Sequence, residues 1–130
     1  MQDVRGANDK VNVLLVDDQP AKLLAYEVIL KDLGETLVIA SSGREALEIL
    51  LKTEIAVILV DVCMPELDGF ELAAMIRENP ALARLPIIAL TAKAMKGDRE
   101  KCLEAGASDY LAKPVNTEQL LLAIRMWLHR

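Results

Sequence analysis

The chain has 130 residues, enough for one domain around one core and too few for a second. Hydrophobic residues make up 53% of it and aromatics only 3%, so the core has to be built from Val, Ile, Leu, Ala and Met. Fifteen basic against twenty acidic residues leave a net charge of −5, which argues against direct nucleic-acid or anionic-membrane binding, and no apolar run approaches the roughly 20 residues of a membrane span.

Residues 1–10 are polar and charged and lead into no signal-like apolar stretch, so the folded unit is expected at 11–130 and in the cytoplasm. Cys63 and Cys102 have no metal-ligand spacing and read as reduced thiols. Val11–Val16 is a short β-branched run that stops at Asp17-Asp18, and Pro20 then suits the first turn of a helix. Leu23, Tyr26, Leu30 and Leu33 fall at helical spacing before Gly34. Thr36–Ala40 reads as a second strand. Ser41-Ser42-Gly43 then begins a helix with Ala46, Leu47, Leu50 and Leu51 on its apolar face.

Ile55–Val60 is the most apolar strand and ends at Asp61; the loop after it contains Pro65 and Gly69, and a third helix closes at Asn79-Pro80. Pro86–Leu90 predicts a fourth strand followed by Thr91, and Ala94–Ala105 a more polar helix ended by Gly106. Asp109–Ala112 is a short fifth strand, Lys113-Pro114 breaks the chain, and Thr117–Leu128 is a last helix with Leu120, Leu121, Ile124 and Leu128 inward. Unbroken apolar strands are buried on both faces, so five strand–helix units predict an α/β fold: one doubly wound (βα)5 sandwich around a parallel sheet. Periodicity does not reveal the strand order. The flavodoxin-like order 2-1-3-4-5 would set strands one and three side by side, with a ligand crevice at their carboxyl ends.

Asp17, Asp18, Asp61, Thr91 and Lys113 would all emerge at that edge. Singly, each has an ordinary explanation: acid pairs cap or face solvent, a Thr after a strand caps a helix, and a Lys before Pro lies on the surface. Together they describe a chemistry. Three converging carboxylates repel and need a cation to stay ionised. All-oxygen ligands suit Mg²⁺, with Mn²⁺ as the alternative. An aspartate beside that metal is a competent nucleophile toward a phosphoryl group, while Lys113 and Thr91 can neutralise and hydrogen-bond phosphate oxygens.

Val-Asp17-Asp18, Asp61-Val-Cys-Met-Pro65-Glu-Leu-Asp68-Gly69, Thr91-Ala92 and Lys113-Pro114, in this order, resemble the receiver domains of response regulators and hybrid histidine kinases, from about Val11 to Leu128. The resemblance implies that Asp61 is phosphorylated by a histidine kinase or histidine phosphotransfer protein. It implies Mg²⁺ held by Asp18 and Asp61, by Asp17 mostly through water, and by the backbone carbonyl of Cys63. It implies contacts from Thr91 and Lys113 to the phosphoryl oxygens, a cis bond before Pro114 that aims Lys113, and a Thr91–Tyr110 switch. That switch would alter the face formed by the fourth helix, fifth strand and fifth helix, where a partner or a second copy docks. Residues 91–110 look most like receivers attached to hybrid sensor kinases.

Several residues have competing readings. Cys63 lies among acids that would raise a thiol pKa, which disfavours redox chemistry; it and Lys93 occupy positions that tune phosphoryl loss in the family. Tyr110 alone reads as a half-buried strand-edge residue, His129 as solvated terminus, and Trp127, Met95 and Met126 as packing the core edge, with a partner surface as the alternative. A haloacid-dehalogenase-type phosphatase would want a second acid where Cys63 stands, plus a cap domain. A flavin mononucleotide binder would want a Ser/Thr/Gly-rich loop at Asp17-Asp18-Gln19-Pro20, and no Gly-x-Gly-x-x-Gly or Walker pattern occurs. A degenerate receiver acting as a phosphorylation-independent docking scaffold is the remaining alternative, disfavoured because all five pocket residues are present.

Overall fold

Short aliphatic runs, each too apolar to leave either face wet, become the strands of one parallel sheet: β1 (Asn12–Val16), β2 (Thr36–Ala40), β3 (Val57–Asp61), β4 (Ile87–Thr91) and β5 (Asp109–Ala112). Between and after them run α1 (Pro20–Leu30), α2 (Gly43–Lys52), α3 (Gly69–Glu78), α4 (Asp98–Ala105) and α5 (Thr117–Leu128). The computed structural model describes residues 10–61, 69–91, 98–113 and 115–128. The strand order is β2-β1-β3-β4-β5, so the switch point lies between β1 and β3, as the flavodoxin-like order requires. No helix among the described residues is long and apolar enough to cross a membrane.

Strand alternation splits the interior into two apolar layers. Val13, Leu15, Val57, Leu59, Ile88 and Leu90 face α1 and α5, where they meet Leu23, Tyr26, Leu30, Leu120 and Ile124. Leu14, Val16, Ile58, Val60, Ile87 and Ala89 face the other helices, meeting Ala46 and Leu50 of α2, Leu72, Ala73 and Ile76 of α3, and Cys102 of α4. Leu14, Leu15, Ile58, Leu59, Ile88 and Leu90 are each 0% exposed, and burying a side chain of that size contributes about 1.5–3 kcal/mol.

Local chemistry sets the helix ends. The Ser42 hydroxyl accepts from Glu45 N at 3.1 Å, and Glu45 reaches back to Ser41 N at 3.3 Å, a capping box displaced by one residue. The first helix was expected to reach Leu33; instead α1 stops at Leu30 and tightens into a 3-10 turn, Lys31–Leu33, closed by Gly34 at φ 78. The third strand starts at Val57, not Ile55, and includes Asp61; the fourth starts at Ile87, not Pro86, and includes Thr91.

Some side chains differ from expectation. Leu51, expected inward, is 76% exposed because Ala46 and Leu50 already fill the contact with the sheet. Met126, expected at the core edge, is exposed, whereas Trp127 packs partly buried against the α1/α5 layer and donates from Nε1 to Asp109 Oδ2 at 3.2 Å. Met95 and His129 lie outside the described residues.

Arg77 was not singled out in the sequence. Its partly buried guanidinium ties α3 to two later segments, donating to Gly106 O at 2.9 Å, Leu82 O at 3.0 Å and Ser108 Oγ at 3.2 Å. Ser108 Oγ in turn accepts from Ile87 N at 3.0 Å, so Arg77 helps set where β4 and β5 begin. Gly106 sits at φ +115, and a Cβ there would meet Arg77 Cγ at 2.7 Å.

Candidate functional site

Register brings the acids together. β1 and β3 pair in parallel up to Val16↔Val60, so Asp17 and Asp61 are each one step beyond that last pair. β3 and β4 pair through Asp61↔Leu90, and β4 and β5 through Thr91↔Ala112, which leaves Lys113 immediately past the edge. The Lys113 backbone N–H donates to Thr91 O at 2.7 Å, continuing the ladder for one residue. A polar side chain at the end of a buried strand is held by the strand itself, which gives the cluster its rigidity.

Asp17, Asp18 and Asp61 each offer a carboxylate oxygen, and these oxygens lie within 4.8 Å of one another. Asp17 is 0% and Asp61 1% exposed, and Thr91 is 3% exposed at the end of β4. Lys113 Nζ stands 2.9 Å from Asp61 Oδ1. Asp17 Oδ1 accepts from Gln19 N at 2.9 Å, whereas Asp17 Oδ2 and Asp18 Oδ1 are buried with no hydrogen-bond partner.

Burial raises the Asp17 carboxyl above its ordinary 3.8; the Gln19 N–H opposes this, and the neighbouring charge of Asp61 adds to it. For Lys113, burial works against the ammonium, but the hydrogen bond and charge of Asp61 outweigh it, and the net shift is upward from 10.5. Three carboxylates against one ion-paired lysine leave excess negative charge in a poorly hydrated place. Orphaned buried carboxylate oxygens of this kind fit a hard divalent cation that accepts oxygen ligands, and Mg²⁺ meets that description.

A second row of residues completes the site. Lys22, Ala25 and Tyr26 of α1, with Lys113 and Val115, line an open cleft of about 430 Å³ beside the acids. Tyr26 is buried, and burial pushes its phenol upward while the nearby Lys113 ammonium pulls it down. Neither Lys22 nor a role for Tyr26 at this edge was anticipated from sequence. The available signal was the i, i+4 spacing of Lys22 and Tyr26 on one face of α1.

Tyr110 is half-buried on β5, pairs with Ala89, and packs against the layer beneath α3 and α4. By strand alternation it shares a face with Thr91, two residues beyond Ala89. Cys63, Lys93 and Pro114 lie outside the described residues.

Comparison with known proteins matches residues 13–125 to the model of the response regulator receiver domain. The chain is 40% identical over 110 residues to the signal transduction histidine-protein kinase BarA of Escherichia coli K12, covering 85% of this chain and 12% of that one. It is 37% identical over 118 residues to the sensor protein GacS of Pseudomonas syringae, covering 88% and 13%. The chain thus spans about one eighth of the length of these curated relatives. Among solved structures, the receiver domain of sensor histidine kinase PA1611 from Pseudomonas aeruginosa PAO1 superposes with a TM-score of 0.86 at 37% identity, covering 94% of this chain and 100% of that one. That structure has a magnesium ion coordinated in its active-site cleft.

Proposed function

The chain belongs to the family of response regulator receiver domains, and on that premise we propose that it accepts a phosphoryl group on Asp61 from the phosphohistidine of a histidine kinase or histidine phosphotransfer protein. An Asp61 carboxylate oxygen forms the new O–P bond while the donor P–N bond breaks. Its electron pair stays on the imidazole nitrogen, which takes up a proton. The observation that carries this reading is the pairing of a buried Asp61 with Lys113 at 2.9 Å inside a three-carboxylate cluster.

Asp17, Asp18 and Asp61, with the Cys63 backbone carbonyl, would hold Mg²⁺, or Mn²⁺ in its place. The bound cation supplies charge neutralisation for the approaching phosphoryl group. Lys113 holds a phosphoryl oxygen by charge and Thr91 donates its hydroxyl to another. The domain's role is signalling: it takes part in its own phosphorylation and dephosphorylation and passes the result on. The magnesium-bound relative and the kinase relatives support the ion and the donor class.

Phosphorylation adds charge at Asp61. Thr91 and Tyr110 respond on their shared face, and the surface of α4, β5 and α5 changes its affinity for an effector or for a second copy of the domain. Leu122 and Met126, 64% and 53% exposed, give that surface apolar contacts. We assign the reaction to the cytoplasm, in keeping with a phosphohistidine donor of the histidine-kinase class. The test is intact mass after treatment with Mg²⁺ and acetyl phosphate. One phosphoryl adduct is expected, absent in Asp61→Asn and abolished by EDTA. No adduct on the wild type, or an equal adduct on Asp61→Asn, overturns the reading.

A further inference from the structure

Lys22 occupies a costly position. It lies in the first turn of α1, a turn without an acidic residue or a side-chain cap, where the helix dipole disfavours a cation. A residue that breaks a local rule without a local gain points to a use elsewhere. From there its partly buried side chain joins Lys113 in lining the cleft beside the acids, with Tyr26 buried beneath. Its charge opposes the effect of burial on Asp17, and its side chain lies close to Lys113. In a chain of net charge −5, a triad of carboxylates would repel an incoming phosphate ester or anhydride. Lys113 is already paired with Asp61. Lys22 is not a member of that pair and lines the same cleft.

We propose that Lys22 and Lys113 form the two sides of an anion-receiving mouth over Asp61, and that Lys22 is a positioning residue that captures the charged group of the phosphoryl donor before transfer. This rests on Asp61 being the acceptor. A phosphoryl group on Asp61 carries up to about two negative charges where the carboxylate carried one. Lys113 can neutralise only part of the increase, and among the described residues Lys22 is the second cation lining the cleft. Tyr26 supports the arrangement as an apolar floor that keeps both lysine stems extended toward the cleft.

The experiment measures the rate of Asp61 phosphorylation against acetyl phosphate concentration in saturating Mg²⁺, and beryllofluoride affinity from Trp127 fluorescence, for wild type, Lys22→Gln, Lys22→Arg and Lys22→Glu. Lys22→Gln is expected to raise the half-saturating acetyl phosphate concentration and weaken beryllofluoride binding by roughly threefold to tenfold, with the maximal rate changed less. Lys22→Arg should stay near wild type and Lys22→Glu should exceed the loss of Lys22→Gln. Added KCl should slow the wild type more than Lys22→Gln. Equal half-saturation and affinity in wild type and Lys22→Gln, with an intact Asp61 adduct, overturns this proposal and leaves the acceptor reading standing. A loss confined to the maximal rate, or one that Lys22→Arg does not rescue, also overturns it. No adduct on wild type removes the acceptor reading itself.

Discussion

Lys113 Nζ and Asp61 Oδ1 lie 2.9 Å apart at the end of two strands that do not touch, β3 and β5, with β4 between them. The pair spans the sheet edge because Asp61 is the last residue of β3 and Lys113 directly follows β5, at the same end of the sheet. Asp61 is 1% exposed and Lys113 14%, so neither charge can be replaced by water alone.

Removing the lysine should therefore cost stability as well as function. Breaking a buried ion pair costs about 3–5 kcal/mol when the remaining charge is uncompensated, and partial exposure of Lys113 places this case near the low end. Lys113→Ala in EDTA is expected to lose about 3 kcal/mol by urea unfolding. Added Mg²⁺ should recover part of that loss, and the Asp61 adduct should be strongly reduced.

Asp17 sets the pH dependence. Its carboxyl is raised above 3.8 in the fold, so the folded state holds that proton more tightly than the unfolded chain. Stability contributed by this group is present below 3.8 and declines as pH rises through the folded value. Without metal, Asp17→Asn should accordingly be more stable than wild type at neutral pH. With Mg²⁺ the wild type should gain stability at neutral pH and lose that gain in acid, as protons displace the metal from the carboxylates. Thermal unfolding across pH with and without EDTA reads all three. Lys113 acts at the other end: raised above 10.5, its contribution is intact below that pH and lost as pH climbs through the folded value.

Arg77 and Gly106 are coupled far from the acids. Arg77→Ala removes bonds to Gly106 O, Leu82 O and Ser108 Oγ and is expected to cost about 2–4 kcal/mol. Gly106→Ala strains a φ of +115 and presses on Arg77 Cγ, for about 1–3 kcal/mol. In an Arg77→Ala background the Gly106→Ala penalty should shrink but not vanish, because the backbone strain remains. Urea unfolding of the double-mutant cycle measures it. The Asp61 adduct should still form in every variant that folds.

Trp127, the sole tryptophan, reports on α5. Its Nε1 donates to Asp109 Oδ2 at 3.2 Å, and Asp109 Oδ1 accepts from Tyr110 N at 2.8 Å. Asp109→Ala should shift Trp127 emission to the red and lower stability by about 1 kcal/mol. An unchanged emission spectrum in a folded Asp109→Ala protein would contradict that coupling.

The sequence by itself determined the number and kind of elements, the parallel character of the sheet, and the polar residues at the strand ends. Those properties are local: Ile55–Val60 is apolar at every position, and Asp61, Thr91 and Lys113 each follow a strand core directly. Only the tertiary structure decided that β1 lies between β2 and β3, that Leu50 and not Leu51 would be buried, and that Lys22 and Tyr26 join Lys113 around one cleft. It also decided that Arg77 meets Gly106, 29 residues away. Hydrophobic periodicity records whether a side chain faces apolar matter, but not which element supplies it. Charge pairs and cross-element hydrogen bonds depend on that supply, because they are set by the packing of strands and helices that are distant in the chain. The carboxylate cluster was legible because two strands, β1 and β3, deliver their three acids to a common edge whenever the sheet is parallel, whereas Lys22 arrives on α1, whose rotation only packing against the sheet decides.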